Sequence, residues 1–254
     1  MAGRVSETER LRVQSGVWEP AGARVLESIG PGDGLRALDV GCGPMGWLRL
    51  LNVWVGPGGR AVGSDVQAGM LEAAREMVRA EKLANVELVE DDIFASALEP
   101  ASFDLVHARF QLAPLGRAEA QVATFRRLLK PGGWLVLEEP DTASWRFVPE
   151  APAAMELIGL IVRSFALAGG DFDAGRSLRW LLARPEMCAA MEVLEPNDPY
   201  LQAPLQFASS LEPRLLELVG DAALADLRQR VEAELSDDAR WGTSFALIQA
   251  WERN

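Results

Sequence analysis

The sequence predicts an α/β fold with a mostly parallel sheet and helices on both faces, and three observations lead to this. Between residues 35 and 140, five short apolar runs alternate with segments of helical periodicity. Such alternation implies parallel strands joined by right-handed crossovers. The first run stops at three glycines, Gly41, Gly43 and Gly46, which is how such sheets build a site at the carboxyl ends of their strands. The length, 254 residues, suits either one large α/β domain or a domain plus a small lobe.

The elements follow in order, and breakers such as Gly30-Pro31-Gly32 mark where they end. Residues 1–16 are polar and predict a loop or short helix. Strands are predicted over 37–40, 60–64, 86–89, 103–108 and 134–138, and helices over 18–29, 45–54, 70–82 and 118–129. After Pro140 the alternation stops. Helices are predicted there over 155–168, 178–183, 204–219 and 222–235, and strands over 191–194 and 241–251.

Composition narrows the class of protein. The net charge of −12 argues against a nucleic-acid partner, because such proteins usually carry a basic patch. The most apolar long segment, 153–168, is interrupted by Glu156 and Arg163, so we expect no membrane partner. The first residues have no apolar core before a cleavage site. We therefore expect a cytoplasmic protein with a small-molecule substrate, as a monomer or a homodimer.

Cysteine and histidine are scarce. Two cysteines, Cys42 and Cys188, make no disulfide framework, and His107 is the single histidine. A histidine-cluster metal site is therefore excluded, and no metal is expected. Cys42 lies inside the glycine turn, where a small packing residue is a better interpretation than a nucleophile.

The glycine turn formally satisfies the dinucleotide fingerprint, yet two neighbours disfavour a dinucleotide. Pro44 removes one backbone N–H that would hold a pyrophosphate. Asp39 places a carboxylate beside the turn, where a phosphate would be repelled. A ligand with an ammonium group and no phosphate fits better. A tight turn with no ligand is the alternative.

Carboxylates also follow the second and third predicted strands. Asp65 lies about twenty residues after Gly46, the position of an acid that binds ribose hydroxyls. A helix N-cap is its other interpretation. Asp92 could accept from an adenine amino group while Ile93 covers the ring; a solvated loop explains the same residues.

Together these motifs resemble the class I S-adenosylmethionine-dependent methyltransferases, including bacterial enzymes of secondary metabolism that act on small molecules. LDVGCGPMG is similar to the family's first motif, SDVQAGML to its ribose-binding acid and following helix, and EDDIF to its adenine-binding loop. FDLVHARF and LLKPGGWLVLEE resemble its fourth and fifth strand regions. The Pro44-Met45 pair before the last glycine is a departure.

The resemblance implies a Rossmann-like, seven-stranded sheet with a helical lid after the fifth strand. Residues 1–34 would be an N-terminal helical segment, 35–141 the cofactor-binding core, 142–235 the lid with a sixth strand, and 236–254 a final strand. S-adenosylmethionine would be the cofactor and S-adenosylhomocysteine the product. The implied cofactor residues are Asp39, Gly41, Cys42, Gly43, Gly46, Asp65, Val66, Asp92, Ile93 and His107.

Methyl transfer from a sulfonium is an in-line displacement that depends on alignment and exclusion of water. His107 is the candidate general base because its pKa suits the role; a packed strand residue or a contact to the cofactor is the alternative. Arg109 could pair with an acidic substrate or with Glu138, Glu139 or Asp141. Phe110, Trp145 and Glu139 are the candidate substrate-binding residues.

The predicted function is methyl transfer to an O, N or C atom of a small apolar or aromatic metabolite. Two alternatives stay open: a cyclase or pericyclase that keeps the fold without methylating, and a non-catalytic binding protein. A nicotinamide oxidoreductase is a more distant one, for the reasons given at Pro44 and Asp39.

Overall fold

The computed structural model describes residues 7–196 and 198–254. Its centre is a seven-stranded sheet in the order β3-β2-β1-β4-β5-β10-β7. The strands are β1 (Arg36–Val40), β2 (Arg60–Asp65), β3 (Val86–Glu90), β4 (Phe103–Arg109), β5 (Leu129–Asp141), β7 (Glu186–Ala190) and β10 (Ala246–Arg253). Strands β1 to β5 pair in parallel, and β10 is antiparallel to both of its neighbours. The mostly parallel, Rossmann-like sheet is confirmed.

Helices cover both faces of this sheet. They are α1 (Glu7–Ile29), α2 (Leu48–Trp54), α3 (Ala68–Glu81), α4 (Leu112–Leu115), α5 (Ala118–Leu128), α6 (Pro152–Leu167), α7 (Leu178–Leu181), α8 (Ala203–Ser210), α9 (Glu212–Val219) and α10 (Asp221–Leu235). Successive strand residues point to opposite faces. Ala37 accordingly packs with α1 and α2, while Leu38 packs with α5 and α7.

The later helices form a lobe that shares one core with the start of the chain. Helices α6, α8, α9 and α10 bury their apolar sides together, and Trp18 of α1 joins them. A small sheet closes the lobe in the order β6-β9-β8, formed by β6 (Arg146–Val148), β8 (Val193–Leu194) and β9 (Trp241–Thr243). Helix α1 therefore contacts both the large sheet and the lobe.

Several predicted bounds differ from the structure. Helix α1 begins at Glu7, and only residues 1–6 of the predicted polar segment lie outside the described residues. The predicted strand over 191–194 belongs to the small sheet, and the sixth strand of the large sheet is β7 instead. The predicted final strand divides at Ser244-Phe245, because β9 pairs in the small sheet and β10 in the large one.

No helix among the described residues has the length and apolarity needed to span a membrane. Within 7–196 and 198–254, no group of His, Cys, Asp and Glu side chains is placed to hold a metal ion.

Candidate active site

The turn after β1 has a conformation that requires glycine. Gly41, Gly43 and Gly46 all have positive φ, at 63°, 53° and 46°, a conformation that side chains disfavour. A Cβ at Gly46 would collide with the carboxylate of Asp39. One at Gly41 would collide with the amide of Gln111. The turn therefore presents bare backbone at the carboxyl edge of the sheet, with the Gln111 amide beside it.

Cys42 is part of the packing under this turn. Its side chain is buried, and burial, reinforced by the charges of Asp39 and Asp65, raises the pKa of its thiol well above the usual value. A neutral thiol is a poor nucleophile. The structure agrees with the packing interpretation of this cysteine.

Asp65 joins the end of β2 to the glycine turn. Its Oδ2 accepts from the backbone N–H of Gly43 at 3.0 Å, and its Oδ1 accepts from that of Gln67 at 2.8 Å. Each carboxylate oxygen has two acceptor positions, so one remains on each. The N-cap position of α3 is Gln67, so Asp65 lies two residues before it and is not the N-cap residue. Acceptor positions on its carboxylate remain for a ligand.

The predicted adenine-binding residues follow β3. Ile93 is buried, whereas Asp92 is exposed and accepts from the backbone N–H of Phe94 at 2.9 Å through Oδ1. Val66, which follows Asp65, leaves 59 % of its surface exposed. The edge beyond β2 and β3 thus carries an apolar surface beside acidic groups.

His107 lies beneath the turn, inside a buried charge network. Its Nδ1 lies 2.7 Å from Oδ1 of Asp39 and its Nε2 lies 3.2 Å from Oε2 of Glu138. Burial lowers the pKa of His107, but the hydrogen bonds to the two carboxylates outweigh that effect and raise it. Burial likewise raises the pKa of Glu138, and its interactions with His107 and Arg109 lower it by more. His107 thus lies between two carboxylates, an arrangement that favours its protonated form.

This placement corrects the prediction of His107 as general base. Its side chain is fully buried, and both ring nitrogens are directed at carboxylates. A base must reach the proton that it removes, and His107 has no free nitrogen with which to do so. It also has no surface with which to contact a cofactor; the packed-residue interpretation is the one that the structure supports.

Trp47 completes the network and was missed from the sequence. Its ring stacks on that of His107 with centroids 3.7 Å apart. The indole N–H donates to Glu138 at 2.9 Å, and the backbone N–H donates to Asp39 at 2.7 Å. Asp39 is therefore occupied by Trp47 and His107 below the turn. The only local signal was a tryptophan one residue after the last glycine.

Arg109 connects this network to helix α1. One guanidinium nitrogen lies 3.7 Å from Glu138, and another donates to Ser15 Oγ at 3.0 Å. The second nitrogen also lies 3.5 Å from the carbonyl oxygen of Gly46. Of the three acids proposed for Arg109, the structure thus brings Glu138 to it. Asp141 instead pairs with Arg176 at 2.6 Å.

Glu139 is a helix cap. Its buried carboxylate accepts from the backbone N–H groups of Gln111, Leu112 and Ala113 at 2.7 to 3.1 Å, at the start of α4. Burial raises its pKa to about 8, and the three N–H groups act in the opposite direction. Its carboxylate is fully buried and holds these three donors, so the structure gives Glu139 a capping role, and a substrate-binding role stays a prediction.

The other two predicted substrate residues come together around Phe245. The Phe245 ring lies 5.8 Å from that of Phe110 and 5.4 Å from that of Trp145. Phe110 has φ +55°, a conformation that is strained for a bulky residue and concentrates at functional sites.

A family model described as a methyltransferase domain matches residues 37–133, the span that contains the glycine turn, Asp65, Asp92 and β4. These residues are therefore similar to a methyltransferase domain. The resemblance stated from the sequence is therefore confirmed.

Curated relatives match over this domain. Demethylmenaquinone methyltransferase of Staphylococcus aureus is 36 % identical over 126 residues, which is 50 % of this chain and 50 % of that protein. An uncharacterized 37.1 kDa protein in transposon TN4556 of Streptomyces fradiae is 38 % identical over 117 residues, 46 % of this chain and 33 % of that protein. The chain thus spans half or less of the length of these relatives.

Solved structures share the fold beyond the methyltransferase domain. A phosphoethanolamine N-methyltransferase of Haemonchus contortus, solved with phosphomonomethylethanolamine and S-adenosylhomocysteine, superposes with a TM-score of 0.58 at 18 % identity. The superposition covers 100 % of this chain and 59 % of the Haemonchus contortus chain. The YcgJ protein of Bacillus subtilis gives 0.56 at 13 % identity, over 91 % of this chain and 97 % of that one. At these identities the likeness concerns the fold alone.

Proposed function

We propose that this chain transfers a methyl group from S-adenosylmethionine to an O, N or C atom of a small apolar or aromatic molecule. The observation that carries the proposal is the sheet edge after β1, β2 and β3. Bare backbone at the glycine turn, the two remaining acceptor positions of Asp65 and the exposed Val66 lie at successive strand ends. Ligands of open α/β sheets bind at this edge.

The residues of this edge fit the chemical parts of the cofactor. Asp65 can accept from both hydroxyls of a ribose with its remaining acceptor positions. Val66 and Ile93 supply apolar surface for an adenine ring, and Asp92 is an acceptor for its amino group. The backbone of the turn, with Gln111 beside Gly41, would hold the methionine part. Asp39 would contribute indirectly: its carboxylate accepts from the backbone N–H of Trp47 and so stabilises the conformation of the turn.

When bound, S-adenosylmethionine would supply an electrophilic methyl group on its sulfonium and would leave as S-adenosylhomocysteine. The chain's contribution is alignment of the acceptor and exclusion of water. The helical lobe and α1 bury an apolar region next to β4, which suits exclusion of water. With His107 paired on both sides, we propose that the acceptor reacts without a histidine base, as an ionised oxygen, a neutral amine or an activated carbon.

Calorimetric titration of the purified chain with S-adenosylmethionine, S-adenosylhomocysteine and NADH tests the cofactor. We expect micromolar binding of the first two and none of NADH. Binding of NADH alone would contradict the proposal and favour an oxidoreductase. Binding of none of the three would favour the non-catalytic alternative.

Incubation with labelled S-adenosylmethionine and a panel of phenols, aromatic acids, amines and quinones tests the transfer. We expect a labelled product together with S-adenosylhomocysteine in equal amounts. A converted substrate without S-adenosylhomocysteine would instead indicate a cyclase or pericyclase.

A further inference from the structure

The two outermost strands of the large sheet, β3 and β7, protect their free edges to different degrees. Strand β3 carries the exposed carboxylates of Glu87 and Glu90, and charge on an edge strand discourages pairing with another chain. Strand β7 has the sequence EMCAA, in which only the first residue is charged. Its first four residues are exposed, although successive side chains point to opposite faces of the sheet. The free edge of β7 is therefore accessible and carries little charge.

The exposed apolar surface continues beyond β7. Met187 on β7, Met191 in the connection and Val193 on β8 leave 38, 52 and 61 % of their surface exposed. Strand β8 is an outer strand of the small sheet, so the unpaired edge continues along the chain from one sheet to the other. Val193 lies opposite Thr243, two residues from the exposed Trp241, so Val193 and Trp241 share one face. Apolar surface beside an unpaired edge is typical of a contact with another chain.

The residues of this edge complement a second copy of themselves. Two identical strands can pair in antiparallel register about a two-fold axis, which sets the same surface on both sides of the contact. With the axis at Cys188, Met187 of each copy lies opposite Ala189 of the other. Glu186 lies opposite Ala190. No like charges therefore lie directly opposite each other along the strand, an arrangement that would be unfavourable.

Charges also match at the two ends of this register. Arg184 and Glu192 are each four residues from Cys188, so they lie opposite each other in the two copies. Arg184 is exposed and Glu192 is partly exposed, and neither has an ion-pair partner within residues 7–196 and 198–254. Residues 187–191 between them are uncharged. Each chain has a net charge of −12, and this edge offers two ion pairs against the repulsion between two copies.

We propose that residues 184–193 form the contact surface for a second copy of this chain, in a symmetric dimer whose two β7 strands pair about Cys188. The main-chain N–H and C=O groups of the free edge bond to those of the other copy. Apolar side chains beside the strand enlarge the contact, because a five-residue strand pairs only weakly by itself. Two ion pairs, each between Arg184 of one copy and Glu192 of the other, fix the register. The pairing joins the two large sheets into one.

Cys188 reports this register directly. Opposite residues of antiparallel strands have Cα atoms about 4.5–5.5 Å apart, a distance that a disulfide can bridge. Cys42, the other cysteine of the sequence, is buried, so diamide, which oxidises two thiols to a disulfide, should convert the wild type to a covalent dimer. Combining Cys188→Ser with Ala189→Cys moves the thiols to diagonal positions about 7–8 Å apart. That variant should cross-link at least about tenfold more slowly.

Sedimentation equilibrium measures the assembly without a cross-link. We expect the wild type to form a dimer at micromolar concentrations. Ala189→Lys places a lysine from each copy in the uncharged part of the contact and should raise the dissociation constant at least about tenfold. Ala84→Lys, the same substitution at an exposed position before β3, is the matched control and should leave it unchanged. Circular dichroism verifies that both variants are folded.

A charge exchange tests the register without placing a charge in the apolar part. Arg184→Glu should weaken the dimer about fivefold, because Glu192 of the other copy then faces a like charge. Adding Glu192→Arg to that variant should restore the wild-type dissociation constant. A wild type that stays monomeric, equal cross-linking at positions 188 and 189, or a double variant no tighter than Arg184→Glu alone would each overturn the proposal.

Discussion

The two halves of the candidate site are built in opposite ways. The open edge, which we define as Gly41–Gly46, Asp65, Val66, Asp92 and Ile93, uses the backbone of the glycine turn, two carboxylates and the exposed side chain of Val66. The buried network, defined as Asp39, Trp47, His107, Arg109 and Glu138, has its charges paired within the protein. The charged groups of the second half are buried and paired with one another, whereas Val66 and Asp92 of the first half are exposed. Changes in the open edge should therefore affect binding, and changes in the network should affect stability.

Glu138→Ala should have the largest effect, on stability. The substitution removes the buried carboxylate that pairs with His107 and Arg109. It also removes the acceptor of the hydrogen bond from the Trp47 indole N–H. Removing one partner of a buried pair costs about 3–5 kcal/mol of unfolding free energy. Urea denaturation measures it, with Glu87→Ala, an exposed carboxylate on β3, as the control. A loss equal to that of the control would mean that the network contributes little.

Asp65→Ala should mainly affect binding of S-adenosylhomocysteine. Two charge-assisted hydrogen bonds to a ribose are worth about 2–4 kcal/mol, which calorimetry resolves. Asp33→Asn is the matched control, because Asp33 is exposed in the loop before β1, at the amino ends of the strands. Asp65→Asn, which keeps one acceptor oxygen, should fall between the two. An unchanged dissociation constant in Asp65→Ala would contradict the ribose assignment.

His107 should make stability depend on pH. Its pKa is raised in the folded protein, so its protonated form contributes stability that is complete below about pH 6.5 and is lost as the pH rises through the folded pKa. Each unit of elevation corresponds to about 1.4 kcal/mol. The pKa of Glu139 is also raised in the folded protein, to about 8. Its protonation therefore also contributes stability that is lost as the pH rises from the pKa of an unfolded glutamate to about 8. The contribution of His107 is therefore the difference between the wild type and His107→Asn.

Unfolding free energies between pH 5.5 and 9 test this expectation. We expect the wild type to lose more stability across that interval than His107→Asn. Parallel curves for the two proteins would mean that His107 is neutral when folded.

Val66→Ala should have the smallest effect. The side chain is 59 % exposed, so folding should be unchanged, while loss of apolar contact with an adenine ring should weaken S-adenosylhomocysteine binding by about 1 kcal/mol. Val53→Ala on α2, where the side chain is 78 % exposed, is the matched control for both measurements. Equal affinities of the two variants would remove Val66 from the site.

The two halves also differ in how far the sequence predicts them. The open edge is local: each residue lies in or beside a turn that follows its own strand, so order along the chain is enough to find it. The network joins residues that are distant in sequence. His107 meets Asp39 across 68 positions and Glu138 across 31, and no periodicity reports such a contact. A histidine near a strand end therefore suggested a base where the fold makes an ion pair.

The same distinction between local patterns and distant contacts separates the elements of the fold that the sequence predicts from those that it does not. Strands β2, β3 and β4 and helix α3 were predicted to within a few residues because each has its own pattern and breakers. Strand β7, EMCAA, has no such pattern; four of its five residues are exposed, and its identity comes from pairing with β10. The predicted strands over 191–194 and 241–251 contain β8 and β9, but no local pattern indicates that they form a separate sheet with β6.

The position of β10 bears on how the protein is made. Residues 246–253 insert between β5 and β7, and Gln249 of that strand donates to Glu138, 111 positions earlier. During translation the carboxylate of Glu138 leaves the ribosome long before the amide that completes its bonding. A nascent chain that stops short of β10 would expose the edges of β5 and β7 that β10 covers, so pairing of β10 protects the sheet from edge-to-edge aggregation.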